Sequence, residues 1–294
     1  MLWALFTLTA AAAQTARNAM QRELTATLGT VGATHVRFLF GFPFALVFLA
    51  GLLQVTGAGL PQTPPVFWPW VVAGALTQIA ATALMLSVMG ERSFVVAYAY
   101  IKTEPVQVAL FGFVFLGDHV TLLAGAAILI ATVGVIVISL KPGAARAGTL
   151  RSTALGILSG TMFALSAIGY RGAILSLHLP DFVLAATFTV AVGLAIQAGL
   201  LSLYLVLRDR KVFAAIARAW RPSLFAGFMG AFASEFWFLA FAIASAAHVR
   251  TLALVEVLFA QGVTRFIFKQ PTTPRELLGV VLVVIGVAVL VWAF

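Results

Sequence analysis

The sequence predicts an all-α integral membrane protein whose ten transmembrane helices form two inverted repeats of five. Three observations support this fold class. Hydrophobic residues make up 62% of the chain and charged residues only 9%, whereas about 25% of a typical soluble domain is charged. Apolar runs of the roughly 20 residues that a membrane helix needs recur along the whole chain. Polar markers in the two halves also recur at a nearly constant interval.

The predicted spans are apolar runs bounded by charged, proline-rich or glycine-rich turns. In chain order they cover residues 2–20, 32–55, 67–90, 95–117, 122–140, 154–177, 182–207, 222–244, 249–268 and 275–294. The clearest turns are Arg22–Glu23, the proline-rich loop 61–65, the charged turn 91–92, Gly117–Asp118, Pro180–Asp181, the charged loop 208–221 and the loop 269–274. Residues 141–152 hold a Pro–Gly break, so we interpret them as a cytoplasmic linker. It separates a first five-helix repeat, 1–140, from a second, 153–294.

The two halves look like copies of one another. Glu256 follows Glu104 at the same interval at which Gly286 follows Gly134. Because each half has an odd number of spans, the two copies must have opposite orientations in the membrane. Inverted repeats around a site near the bilayer midplane are a recurrent architecture of secondary transporters. The repeat therefore predicts a transporter, and a chance match between apolar sequences is the alternative.

The end of the first half carries the most specific motif. It consists of Pro105–Val106, Leu110, Phe115–Leu116–Gly117–Asp118, Gly125 and Gly134–Val135. These residues resemble the closing motif of an EamA half in the drug/metabolite transporter superfamily, and Arg37–Phe38–Leu39 is similar to the start of the family's second span. The second copy is looser, because Glu256–Val257 lacks the proline and Lys269–Gln270 replaces the glycine and the acidic residue.

The resemblance implies a five-plus-five inverted-repeat carrier with a central cavity, often an exporter of amino acids or other metabolites. Half-sized members of the superfamily act as dimers. A fused ten-span chain is therefore expected to act as a monomer or a homodimer.

The fourth span carries charge and a proline inside apolar sequence, at Lys102, Glu104 and Pro105. Charges at such depth persist mostly where they face a protein interior or a wet cavity. Lys102 and Glu104 are two residues apart and project to different sides of a helix, so at least one should find its partner on another span. Tyr98 and Lys102 are four residues apart, as are Tyr100 and Glu104, so each pair is expected to share a helix face.

Substrate-binding candidates are polar or aromatic side chains within the apolar spans. They are Gln78, Tyr98, Tyr100, Lys102, Glu235 and Trp237. Lys102 can bind an anionic group, the aromatic rings can line a pocket for a flat or zwitterionic ligand, and Glu235 has no basic partner on its own helix. For each aromatic residue the alternative is helix packing or an interfacial belt.

Proton coupling or ion pairing is predicted for Glu104, Glu256, His35 and Arg37. A carboxyl group buried away from water favours its protonated form, as a proton carrier requires. Alternatively, each glutamate pins a helix end or pairs with Arg17, Arg37 or Arg171. His35 can relay protons or simply contact a neighbouring helix. The arginines lie close enough to span ends to extend toward water, which favours structural roles for them.

Basic residues in the loops predict the orientation. Loops after odd-numbered spans hold Arg22, Arg92, Lys141, Arg146, Arg151, Arg208, Arg210, Lys211, Arg218, Arg221, Lys269 and Arg275. Loops after even-numbered spans hold almost none, apart from Arg250 at the start of the ninth span. The positive-inside rule places the odd-numbered loops in the cytoplasm and both termini outside. The superfamily is commonly drawn with both termini inside, so the charge pattern contradicts that convention.

The predicted function is secondary transport of small metabolites, such as amino acids or related zwitterions, across the inner membrane. An exporter of lipophilic cations is the alternative. No ATP-binding motif occurs, so an ion gradient must drive any active transport, and protons are the candidate ion.

Enzyme chemistry and nucleic-acid binding are not expected. The chain has no cysteine, no His/Asp cluster at catalytic spacing, no metal-ligand set and no phosphate-binding glycine loop, so we predict neither catalytic residues nor a metal or cofactor. The net charge of +9 is spread over short loops, which is a topology pattern rather than a nucleic-acid surface. The expected partners are therefore a small-molecule substrate and the lipid bilayer.

Overall fold

The computed structural model describes residues 1–91, 100–139, 150–258 and 273–293. These residues form α-helices and one short 3-10 turn, and they contain no strand. The helices are α1 (Leu2–Thr56), α2 (Phe67–Glu91), α3 (Glu104–Leu116), α4 (Leu122–Ser139), α5 (Leu150–Ser176), α6 (Phe182–Arg208), α7 (Lys211–Arg218), α8 (Trp220–Ile243), α9 (Ala246–Leu252) and α10 (Pro274–Trp292). The all-helical prediction is confirmed for these residues.

Six of these helices are long and apolar enough to cross a membrane, namely α1, α2, α5, α6, α8 and α10. The helices α3 and α4 are apolar but shorter. The predicted loop 208–221 instead contains the short helix α7, whose buried Ile216 packs in the same apolar cluster as Leu24 and Leu28 of α1.

The helix α1 contains both of the first two predicted spans. It is 55 residues long and is broken at Gly29, where φ is 67° and ψ is 173°. A positive φ of this kind is accessible mainly to glycine. The Gln21 side chain donates a hydrogen bond to the Ala33 carbonyl oxygen over 2.9 Å, although a straight helix would separate the two residues by about 18 Å. The limbs 2–28 and 30–56 therefore fold back on each other at Gly29.

The helices of the fourth and ninth predicted spans are interrupted. Residues 102–103 form a turn before α3 starts at Glu104. In the second half, α9 ends at Leu252, a 3-10 turn covers Ala253–Val255, and the helix resumes at Glu256. Proline lacks an N–H group and fits the first turn of a helix, so Pro105 accounts for the first break. No proline accounts for the second break.

Helix pairs pack closely through small residues. The helix α1 packs along α8, α2 along α5, and α4 along α10. A Cβ atom at Gly134 would lie 2.8 Å from the Gly279 carbonyl oxygen, and one at Gly286 would lie 2.6 Å from the Ala131 nitrogen. Small residues allow membrane helices to approach this closely. The two glycines that mark the sequence repeat thus serve the same contact from opposite helices.

Substitution of Gly286 by alanine is expected to destabilise the protein. The added methyl group would meet backbone atoms of α4, which cannot move aside cheaply, so the free energy of unfolding should fall by about 1–3 kcal/mol. Thermal unfolding of the purified protein in detergent measures this change. Gly199→Ala is the matched control, because a Cβ atom there meets nothing within 4 Å. A Gly286→Ala variant as stable as Gly199→Ala would contradict the close contact.

Candidate functional site

Four buried charged side chains converge at the two helix interruptions. The Lys102 ammonium group pairs with Glu256 Oε1, and Arg250 Nε lies 3.1 Å from Glu104 Oε1. Each of the four side chains is 7% exposed or less. The expectation that Lys102 or Glu104 finds a partner on another span is confirmed. Each pair joins one half of the chain to the other, so the two ion pairs cross between the halves.

The two glutamates of the ion pairs, Glu104 and Glu256, each lie at the start of a helical segment. Glu104 is the first residue of α3, and Glu256 is the residue at which the helix resumes after the 3-10 turn. A carboxylate in the first turn of a helix interacts favourably with the helix dipole, by about 0.3–1 kcal/mol. The break in the helix therefore gives Glu104 a favourable position at a helix start in addition to its pairing with Arg250.

Arg250 is held by aromatic rings as well as by Glu104. Its guanidinium carbon lies 4.5 Å from the centroid of the Trp237 ring and 5.4 Å from that of Phe241. Trp237 is 3% exposed, and its indole N–H donates to Gln14 Oε1 over 3.1 Å. Cation–π contacts stabilise such a guanidinium by about 0.5–2 kcal/mol. The position of Arg250 therefore does not depend on Glu104 alone.

The charged groups surround a nearly closed central cavity. Its polar lining consists of Gln14, Arg17, Asn18, Lys102, Glu104 and Arg250. Its volume is about 10 Å³, which is room for about one water molecule. In this conformation the cavity is therefore too small to hold a metabolite.

Two of the three α1 residues at this cavity, Gln14 and Asn18, were not predicted from the sequence as site residues. Gln14, Arg17 and Asn18 have the i, i+3, i+4 spacing that places side chains on one helix face. Arg17 donates from Nε and Nη2 to Asn18 Oδ1, over 3.2 and 2.7 Å. Polar residues at this spacing within an apolar span are the signal that identifies such a face. Arg250, at the start of the ninth predicted span, was counted with the loop charges and was not among the predicted site residues.

Gln78 belongs to a separate polar network between α2, α5 and α6. Its Oε1 atom accepts hydrogen bonds from Tyr170 Oη over 3.3 Å and from Gln197 Nε2 over 2.8 Å. The space around these three side chains has no open volume. Gln78 therefore does not line the central cavity in this conformation.

The predicted tyrosines lie outside the charged cluster or outside the described residues. Tyr100 is partly exposed, and its Cβ atom would lie 2.6 Å from a Cβ atom at Gly156 of α5. Tyr98 lies outside the residues that the structure describes. The shared face of Tyr100 and Glu104 does not form, because the turn at residues 102–103 separates them.

His35 and Arg37 contact neighbouring helices and are fully buried. His35 Nε2 lies 3.1 Å from Ser202 Oγ of α6, and Arg37 Nη1 donates to Thr82 Oγ1 of α2 over 3.1 Å. A Cβ atom at Gly230 would lie 3.0 Å from Arg37 Cγ and 3.4 Å from Arg17 Cδ. The stems of the two arginines therefore pass over the same glycine of α8, which places Arg37 beside the cavity residue Arg17.

Arg171 of α5 caps the C-terminal end of α8. Its Nη1 atom donates to the carbonyl oxygens of Phe241 and Ala244, over 2.5 and 2.6 Å. Its Nη2 atom lies 3.3 Å from Asp118 Oδ1. The last carbonyl groups of a helix lack partners within the helix, so Arg171 serves as a C-terminal cap that also ties α5 to the loop after α3.

Glu235 is not part of the polar cavity lining. Its Oε1 atom accepts a hydrogen bond from Thr187 Oγ1 of α6 over 2.5 Å. Its Oε2 atom is shielded from solvent and has no hydrogen-bond partner among the described residues.

No group of three or more potential metal ligands occurs in the part of the chain that the structure describes.

Comparisons with known proteins agree with this architecture. The sequence model of the EamA-like transporter family matches residues 1–140. No curated protein sequence matches the chain. A solved structure described only as "Crystal structure of protein" is similar to this chain with a TM-score of 0.68 and 15% sequence identity, covering 99% of this chain and 96% of its own. At that identity the likeness shows a shared fold and nothing about substrate.

The family match covers the first of the two predicted repeats. It agrees with the closing motif around Pro105 and Gly117, and with the apolar helices that the structure contains. The family comprises multi-pass membrane transporters of the drug/metabolite transporter superfamily, which are secondary transporters and not enzymes. Residues 1–140 of this chain belong to the EamA-like transporter family.

Proposed function

We propose that the chain transports small zwitterionic metabolites, such as amino acids, through a site at the crossed ion pairs. In this proposal ten spans form two inverted five-helix repeats, 1–140 and 153–294, joined by the linker 141–152. The observation that carries the proposal is the pairing of Lys102 with Glu256 and of Arg250 with Glu104, across the halves and beside the central cavity.

Local geometry in the two halves supports the inverted repeat. The helix is interrupted directly before Glu104 and again directly before Glu256. Gly134 and Gly286 make close contacts on facing helices. Interrupted helices near the middle of the membrane are the usual position of substrate and ion sites in inverted-repeat transporters.

A zwitterion fits the charges of this site. Its carboxylate can replace Glu104 at Arg250, which the Trp237 ring keeps in place. Its ammonium group can replace Lys102 at Glu256. The exchange gives both Arg250 and Glu256 a new partner, so neither of these two groups is left as an unpaired buried charge, which would be costly.

The size of the cavity supports a transport cycle rather than a permanent binding pocket. A cavity of about 10 Å³ holds about one water molecule, so substrate binding must separate the ion pairs that join the halves. Separation of these pairs on one side at a time would open the site alternately to the two sides of the membrane.

The alternative substrate, a lipophilic cation, is less well supported. Arg17, Lys102 and Arg250 all line the central cavity, whereas Glu104 is the acidic side chain among its lining residues. Like charges repel strongly at short range in a low-dielectric interior. The lining therefore favours a ligand that carries a carboxylate or another anionic group.

The loop charges complete the proposal. By the positive-inside rule they favour cytoplasmic odd-numbered loops and external termini, and in this proposal the protein lies in the inner membrane. In this proposal the transporter is an exporter that an ion gradient drives, and it acts as a monomer or a homodimer.

Counterflow into proteoliposomes tests the proposed function. The parent protein should exchange labelled zwitterionic amino acids across the membrane, and a labelled lipophilic cation should not move. Glu104→Gln and Glu256→Gln should each reduce the exchange at least about tenfold, since each leaves a buried cation without its partner, at a cost of about 3–5 kcal/mol. Glu23→Gln, at an exposed position of α1, is the matched control and should exchange like the parent. Transport of the cation alone would contradict the proposal.

The aromatic support of Arg250 gives a second prediction. Trp237→Leu removes the ring under the guanidinium group and should raise KM by about 5–30-fold, the equivalent of a cation–π contact of about 1–2 kcal/mol. Trp237→Phe keeps a ring and loses only the hydrogen bond to Gln14, so its KM should rise less. Initial rates of uptake over a range of substrate concentrations measure both values. An equal effect of the two substitutions would show that the ring does not support the binding group.

A further inference from the structure

Glu235 of α8 is a buried acidic residue that the crossed ion pairs do not use. Glu104 and Glu256 each have a basic partner within the site. Glu235 has instead a hydroxyl partner, Thr187, and one carboxyl oxygen that is shielded from solvent without any hydrogen bond among the described residues. It is thus distinct in its surroundings from the other two glutamates.

Seven ionisable groups on the helices packed against α8 contact residues other than Glu235. Arg17 contacts Asn18, His35 contacts Ser202, Arg37 contacts Thr82, Tyr170 contacts Gln78, Arg171 contacts Asp118, His248 contacts Ser245, and Arg250 contacts Glu104. Asp181, Arg208, Lys211 and Arg218 lie at the ends of α6 and α7. Within the described residues, no basic side chain forms an ion pair with Glu235.

These surroundings favour the protonated form of Glu235 in this conformation. An ionised carboxylate without a cation is very costly in a low-dielectric interior, and such a group takes up a proton instead. A carboxylic acid with only a hydroxyl partner carries no such cost. When the site opens to water, hydration stabilises the carboxylate and the proton can leave.

Thr187 suits both protonation states of Glu235. Thr189, on the same helix, donates to the carbonyl oxygen four residues earlier, at Ala185, but Thr187 directs its hydroxyl group to Glu235. A hydroxyl group can donate to a carboxylate and can also accept from a carboxylic acid. A partner of this kind permits proton uptake and release without leaving Glu235 unbonded.

The helix α8 connects Glu235 with the substrate site. Trp237 lies two residues further along α8 and covers the guanidinium group of Arg250. A change in the contact between Glu235 and α6 therefore acts on the helix that supports the proposed binding group.

We propose that Glu235 is the proton carrier of this transporter, while Glu104 and Glu256 serve the crossed ion pairs and the substrate. This inference rests on the proposed function. One proton binds to the Glu235 carboxylate from the side of the membrane that is open, and the same proton leaves to water on the other side.

The test separates exchange from proton-driven transport in proteoliposomes. Glu235→Gln is a permanent mimic of the protonated form, so its counterflow rate should stay within about twofold of the parent. Its rate of uptake driven by a pH gradient should fall at least about tenfold. Glu235→Asp should recover part of the driven uptake. Glu104→Gln, the matched control, should lose both activities.

Each other outcome has a definite meaning. Driven uptake by Glu235→Gln equal to that of the parent would overturn the inference, and so would loss of its counterflow. A parent that exchanges substrate but does not respond to a pH gradient would also overturn it, while leaving the proposed function intact. A parent without exchange would remove the proposed function and this inference together.

Infrared spectroscopy and a second variant keep the inference testable if Glu235→Gln does not fold. The parent should show the carbonyl band of a protonated carboxyl group, with the small shift that exchange into D2O produces. Thr187→Val removes the hydroxyl partner with little change in volume, so it should shift this band and the pH at which driven uptake is half-maximal. A parent without the band, or a Thr187→Val variant with an unchanged band and pH profile, would overturn the inference.

Discussion

The crossed ion pairs at the two helix interruptions are the constraint on which the rest of the site depends. Lys102 with Glu256 and Arg250 with Glu104 bring two distant parts of the sequence together in an apolar interior. Removal of one member of such a pair costs about 3–5 kcal/mol, because the other charge stays buried. The pairs therefore join the two halves in this conformation, and in the proposed cycle a ligand with charges of both signs gives Arg250 and Glu256 new partners.

The interruptions and the close-packed helices have complementary roles. The turn at residues 102–103 and the 3-10 turn at Ala253–Val255 place the glutamates where helices start. The contact between α4 and α10, built on Gly134 and Gly286, leaves no room for side chains. In the proposed transport cycle, the close helix contact stays fixed and the movement occurs at the ion pairs.

Much of the fold could be predicted from the sequence, because apolar runs of membrane length and their polar turns are local signals. Pro105 indicated the first helix break, but the second break has no such residue and depends on tertiary contacts. The charges at Lys102 and Glu256 could be found by their position in apolar sequence. Arg250 was counted with the loop charges, because a count of basic residues ignores how deep each one lies in the membrane. Gln78 has a partner on each of two other helices, and no local pattern reveals such a network.

The most direct test of the central claim is a pair of double-mutant cycles on stability in detergent. Neutralisation of Lys102 and Glu256, singly and together, and of Arg250 and Glu104 in the same way, should give coupling energies of at least about 1 kcal/mol within each pair. The same measurement on Lys102 with Glu104 should give a clearly smaller coupling energy. A coupling between Lys102 and Glu104 as large as that between Lys102 and Glu256 would contradict the crossed arrangement.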